Sequence, residues 1–146
     1  MATVELRFSA LPEHVRTARL VAAAVARRAG VDESVLDEVR LAVGEACSRA
    51  VGLHQLSGIT APVKVALIEE EKQFSIEVGD EAPHAPTGVR TSGAAADDLD
   101  AEAEEDEMGL AVISGLVDDV EVTAGQHGGL IRMTWPTTPQ PTAVLP

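Results

Sequence analysis

Between Asp97 and Glu107, eight of eleven residues are acidic: Asp97, Asp98, Asp100, Glu102, Glu104, Glu105, Asp106 and Glu107. Such a run repels itself and offers too little apolar surface to offset the entropy of ordering it. It follows a stretch of Ala, Pro, Gly and Ser, so residues 84–107 are expected to form a disordered acidic loop. Any fold must therefore close around this break, with its elements drawn from the segments on either side. At 146 residues the chain fits one domain, expected over 1–136, followed by a proline-rich disordered tail over 137–146.

The segments before the break carry clear periodicities. TVELRFSA alternates apolar and polar residues at Val4, Leu6 and Phe8, which is a strand with one buried face. Pro12 suits a first helical position, and Leu11, Val15, Ala18, Ala22, Val25 and Ala29 form a helical stripe that Gly30 ends. Asp32 is the N-cap candidate of a second helix whose apolar face is Leu36, Val39, Val43, Ala46, Cys47 and Ala50, running to about His54. VKVALIEE (63–70) and QFSIEVGD (73–80) form a hairpin.

After the break, residues 108–120 have helical spacing, and 120–124 and 129–135 are strands around a GQHGG turn. The order β-α-α-β-β-loop-α-β-β predicts an α+β fold: a two-layer α/β sandwich with a mixed sheet and helices on one face. With Phe8, Phe74 and Trp135 the only aromatics, the core is built from Val, Leu, Ile and Ala.

The formal net charge of −13 is unevenly placed. Residues 1–55 hold seven arginines and seven acids, whereas residues 56–146 hold four basic groups and seventeen acids. That balance disfavours direct binding to nucleic-acid phosphate and suits a basic protein partner. One cysteine, Cys47, excludes an internal disulfide. No signal-peptide core or membrane-length apolar run is present, so a cytoplasmic location is expected, with no membrane partner. His14, His54, His84 and His127 are scattered without ligand spacing, and no metal site is expected.

Three strings in order resemble the ATP-binding domain of the bacterial anti-sigma factor and switch-protein serine kinases, which are histidine-kinase-like, Bergerat-fold ATPases. The first is EACSRA, where the family has Glu-x-x-x-Asn. There the Glu acts on the attacking hydroxyl and the Asn binds Mg²⁺. Glu45 is kept, and Arg49 stands at the Asn position. The second is GDEAP, where the family has Asp-x-Gly for adenine; Asp80 is kept and Ala82 replaces the Gly. The third is DEMGLAVI, where the family opens a helix with Gly-x-Gly-Leu/Phe around phosphate. Gly109 and Leu110 fit, and Glu107 replaces the first Gly.

A guanidinium has no acceptor for a metal, and Glu107 with its acidic neighbours opposes a triphosphate. The resemblance thus implies a nucleotide pocket in degenerate form, with no cofactor, and ATP and Mg²⁺ only if that pocket still binds. Read from the residues alone, Glu45 and Arg49 are equally an i,i+4 ion pair on a solvated helix face. The resemblance also implies capture of a sigma factor or an anti-anti-sigma factor through the first helix, with a homodimer as one form. Arg19 matches a family arginine used there, and Arg16, Leu20 and Arg27 share a face away from the core stripe. The alternative is an active ATP-dependent serine kinase with Glu45 as its base.

Overall fold

The structure, a computed structural model, describes residues 2–83, 112–117 and 119–138. Strand β1 (Ala2–Phe8) leads through a 3-10 turn (Pro12–His14) into helix α1 (Val15–Ala29). A second 3-10 turn (Glu33–Val35) enters helix α2 (Leu36–Leu56). The hairpin β2 (Val63–Glu69) and β3 (Gln73–Asp80) follows, then a helical stretch over 112–116, and finally the hairpin β4 (Asp119–Gly125) and β5 (Gly128–Pro136). The expected acidic loop over 84–107 and tail residues 139–146 lie outside the described residues.

The five strands form one sheet in the order β1-β2-β3-β5-β4. All four pairings are antiparallel, so the expected two-layer sandwich stands but its sheet is not mixed. The reason lies in the connections: β2–β3 and β4–β5 are hairpins, and β5 returns beside β3 in the opposite sense. Register follows from the alternation. Val63, Val65 and Leu67 of β2, Phe74 and Ile76 of β3, and Ile131 and Met133 of β5 are buried at 0–1% exposure in one cluster with the helices. A one-residue slip would turn that whole set out into water. The opposite face carries Lys64, Ser75, Glu77, Arg132 and Thr134. There the Arg132 guanidinium donates to Glu77 at 3.0 Å and to Glu70 at 3.2 Å, tying β3 to β5.

Alanines let the two helices approach closely: Ala18, Ala22 and Ala26 of α1 and Ala42, Ala46 and Ala50 of α2 are buried at 0–2%. At Gly44 the approach is closer still, since a Cβ there would stand 2.8 Å from Cδ of Arg19.

The ends of α1 differ from the periodicity. Leu11 lies before the helix and is 42% exposed. Pro12 begins a 3-10 turn and α1 proper starts at Val15, without a side-chain cap. Gly30 ends α1 as expected, with φ of 102°, and Val31 N–H returns to the Ala26 carbonyl at 3.0 Å. Asp32 does cap, but it accepts from Ser34 N–H at the head of the 3-10 turn rather than from α2 itself. Thr137 and Thr138, expected in the tail, instead donate to the Lys72 and Gly30 carbonyls, both at 3.1 Å. Val120, placed at the end of a helix by spacing, belongs to β4.

Candidate functional site

Helix α2 carries Glu45 and Arg49 on successive turns, and the end of β3 carries Asp80. Glu45 is exposed. Arg49 is not on a solvated face: its side chain is 8% exposed and reaches across to Asp80, whose side chain is 2% exposed. The guanidinium Nη1 lies 3.9 Å from Oδ2 of Asp80. The other carboxylate oxygen, Oδ1, accepts the Ala82 N–H at 3.0 Å. Ala82 is fully buried, which seats its methyl in the protein rather than in solvent. Two residues at the expected site thus neutralise one another. A charge at such burial is costly without a counter-charge, and each of these groups supplies one to the other.

Two further residues hold Asp80 in place, and neither stood out in the sequence. His54, in the last turn of α2, is fully buried. Its Nε2 accepts the Glu81 N–H at 2.9 Å, so Nδ1 carries the proton and donates to the Ala61 carbonyl at 2.9 Å. The ring therefore joins the end of α2 to the backbone beside Asp80. The one signal in the sequence was position: His54 continues the buried stripe of Cys47, Ala50 and Val51. Gly128 opens β5 with φ of 136°, and a Cβ there would stand 2.1 Å from the Asp80 carbonyl oxygen. A Gly in a GQHGG turn reads as turn chemistry, and the close approach of Gly128 to β3 is a tertiary fact.

Cys47 lies inside the same helix, and burial pushes its thiol from 9.0 up to about 12. It is a buried apolar group and not a nucleophile at neutral pH. Glu107, Gly109 and Leu110 lie outside the described residues, so the phosphate side of the expected pocket is not among them. On α1, Arg16, Arg19, Leu20 and Arg27 are all exposed, with Leu20 at 56%. Arg27 is paired with Glu33, and the Arg19 stem lies over Gly44. Leu41 of α2, 54% exposed, is a further apolar residue that the sequence did not single out.

The donor set does not fit a magnesium ion at position 49. A guanidinium offers no lone pair, and its charge opposes a dication. Among the described residues no group of three His, Cys, Asp or Glu is arranged to hold a metal. No helix among them is long and apolar enough to cross a membrane.

The family model described as histidine kinase-like ATPase domain matches residues 8–135. The chain is similar to the serine-protein kinase RsbW of Bacillus pumilus (strain SAFR-032), at 29% identity over 140 residues, covering 90% of this chain and 83% of that protein. It also resembles the solved structure of the RsbU and RsbW domains of a Mycobacterium tuberculosis protein, with a TM-score of 0.67 and 17% identity. That likeness covers 95% of this chain and about a third (33%) of the solved one, and speaks to the fold.

Proposed function

The chain belongs to the histidine kinase-like ATPase domain family, and from that premise we propose that it is a regulator of the anti-sigma type whose nucleotide pocket is degenerate. In this reading it holds a sigma factor, or the antagonist of one, by surface contact. The relative named a serine-protein kinase supports the regulator class. The single observation that carries the pocket reading is the ion pair between Arg49 and Asp80.

Two consequences follow from that pair. Arg49 puts a fixed positive charge where the resemblance calls for a metal ligand. It also engages the carboxylate that the resemblance assigns to the adenine amino group. Nucleotide would have to break a buried ion pair, and magnesium would have to sit beside a cation. At about 4 Å and an effective dielectric near 20, a monovalent–divalent repulsion is on the order of 8 kcal/mol before relaxation.

The partner contact is assigned to the exposed side of α1, through Arg16, Arg19, Leu20 and Arg27. Arg19 is held by packing: its stem crosses α2 where Gly44 leaves room, which limits the side-chain entropy lost on binding.

Calorimetric titration with a non-hydrolysable ATP analogue and Mg²⁺ tests the pocket. The expected result is no binding up to about 1 mM, and a Kd of about 10–100 μM that Asp80→Asn abolishes would overturn it. For the partner, Arg19→Glu is expected to abolish capture of the cognate sigma factor in a pull-down, while unchanged capture removes α1 from the interface.

The second reading, an active serine kinase, is favoured by one feature: Glu45 remains solvent-accessible on α2, as a base would need. Phosphate transfer to an anti-anti-sigma protein that is lost in Glu45→Ala would establish it.

A further inference from the structure

We propose that residues 139–146 dock on the outer side of the α1–α2 hairpin, over Leu20 and Leu41, and cover part of the face assigned to the partner. The docking stands on where the chain leaves the fold and what it can reach from there. Only its effect on a partner rests on the regulatory reading.

The point of departure is fixed. Thr138 is exposed, and its N–H and hydroxyl donate to the Gly30 carbonyl at 3.1 and 3.3 Å. Its own carbonyl lies so near that a Cβ at Gly30 would stand 2.7 Å from the oxygen. Whatever follows Thr138 therefore starts at the turn where α1 stops and the approach to α2 begins.

Four leucines among the described residues are exposed: Leu11 at 42%, Leu20 at 56%, Leu41 at 54% and Leu56 at 65%. They fall into two pairs. At about 1.5 Å per residue, Leu41 lies about 8 Å along α2 from its start, and Leu20 about 15 Å back along α1 from Gly30. Leu11 and Leu56 belong to the other end of the hairpin, about 25–30 Å from the turn. The helices meet where the Arg19 stem crosses Gly44. Leu20 adjoins Arg19 and shares a face with Arg16 and Arg27, and Leu41 is one turn before Gly44 on the neighbouring strip of α2. Leu20 and Leu41 thus flank the groove between the helices, on the half nearer to Thr138.

Residues 139–146 read PQPTAVLP, with three prolines, no charged side chain and an apolar trio of Ala143, Val144 and Leu145. Proline-rich chain favours the polyproline II form at about 3.1 Å per residue, which carries the trio about 16–22 Å from Thr138. About 5 Å of that, the radius of a helix with its side chains, is spent climbing to the outer side. The remainder reaches Leu41 and Leu20 and stops short of Leu11 and Leu56. Neutrality suits the groove as well. α1 exposes Arg16, Arg19 and Arg27, whereas α2 exposes Asp37, Glu38 and Glu45. A charged segment would meet its own sign on one helix or the other, and an uncharged one meets neither.

A nitroxide on Thr142→Cys in the full chain tests the docking by paramagnetic broadening of backbone amides. Cys47 is fully buried and does not take the label. Broadening is expected around Leu20 and Leu41 but not around Leu11 and Leu56, and it should fall away in Leu41→Asp and in Val144→Asp. Even broadening, no broadening, or broadening that both variants leave unchanged overturns the proposal. So does broadening by a nitroxide carried on a separate copy, which would seat the segment on a neighbouring molecule. Thermal melts confirm that each variant is folded. With the segment docked for about half to nine-tenths of the time, a chain ending at Thr138 should bind the cognate sigma factor about two- to tenfold more tightly than the full chain. Equal affinities would overturn the covering of the partner face. Capture by neither chain would sink the regulatory reading and leave the broadening result standing, so the two can fail separately.

Discussion

Cys47 and His54 share one stripe of α2 and respond to burial differently. The thiol has only its protonated form to offer the core, and desolvation holds that form to about pH 12. The imidazole keeps both nitrogens engaged with backbone, one donating and one accepting. The thiol shift has a consequence for stability. Below pH 9 the folded and unfolded chains both hold the proton, and Cys47 contributes nothing to pH dependence. Above it the unfolded thiol ionises while the folded one does not, so stability falls as pH rises toward 12. Relative to Cys47→Ala, urea denaturation should show the wild type losing about 1 kcal/mol between pH 9 and pH 10. Equal losses in both proteins would show that the thiol titrates normally in the fold. Arg49 is the counterpart at the site. Its type was plain in the sequence, and a guanidinium has no lone pair to offer a metal. Whether it stood in water beside Glu45 or turned inward was left open by spacing, because one helix turn permits both.

At the scale of elements, the places where strands and helices meet depend on glycines with specific neighbours. Gly58 and Gly128 both have positive φ, yet a Cβ at Gly58 would meet nothing within 4 Å, while at Gly128 it would meet the Asp80 carbonyl at 2.1 Å. Gly58→Ala should therefore cost about 1 kcal/mol, the price of a left-handed backbone alone. Gly128→Ala should cost about 2 kcal/mol or more, because the start of β5 must move away from the end of β3. Midpoints of urea unfolding give the comparison, and equal costs would show that β5 yields without strain. The strands, both long helices and the two hairpins were legible in the sequence, since each rests on a local period or a turn. Less legible were the entries to the helices, where 3-10 turns precede α1 and α2, and the sense of the sheet. Those depend on how elements dock, and periodicity carries no record of it.

Across the whole molecule, the residues that follow β5 are fastened to two turns far away in the sequence. Thr138 donates from its backbone at 3.1 Å and from its hydroxyl at 3.3 Å to the Gly30 carbonyl, and Thr137 N–H reaches the Lys72 carbonyl. The strap thus ties β5 to the turn between the helices and to the hairpin of β2 and β3. A chain ending at Pro136 should melt several degrees below one ending at Thr138, since about two or three hydrogen bonds are lost together. Identical calorimetric midpoints would mean that the strap adds nothing. From its sequence alone the protein had its element order determined, along with its Val/Leu/Ile/Ala core and its basic first helix. Periodicity, composition and residue type are properties of neighbours along the chain. Only the tertiary structure decided that Arg49 meets Asp80, that His54 and Gly128 fix the backbone around it, and that the five described strands pair antiparallel throughout. Those contacts join residues far apart in the chain, and burial and packing select them only once the layers have come together.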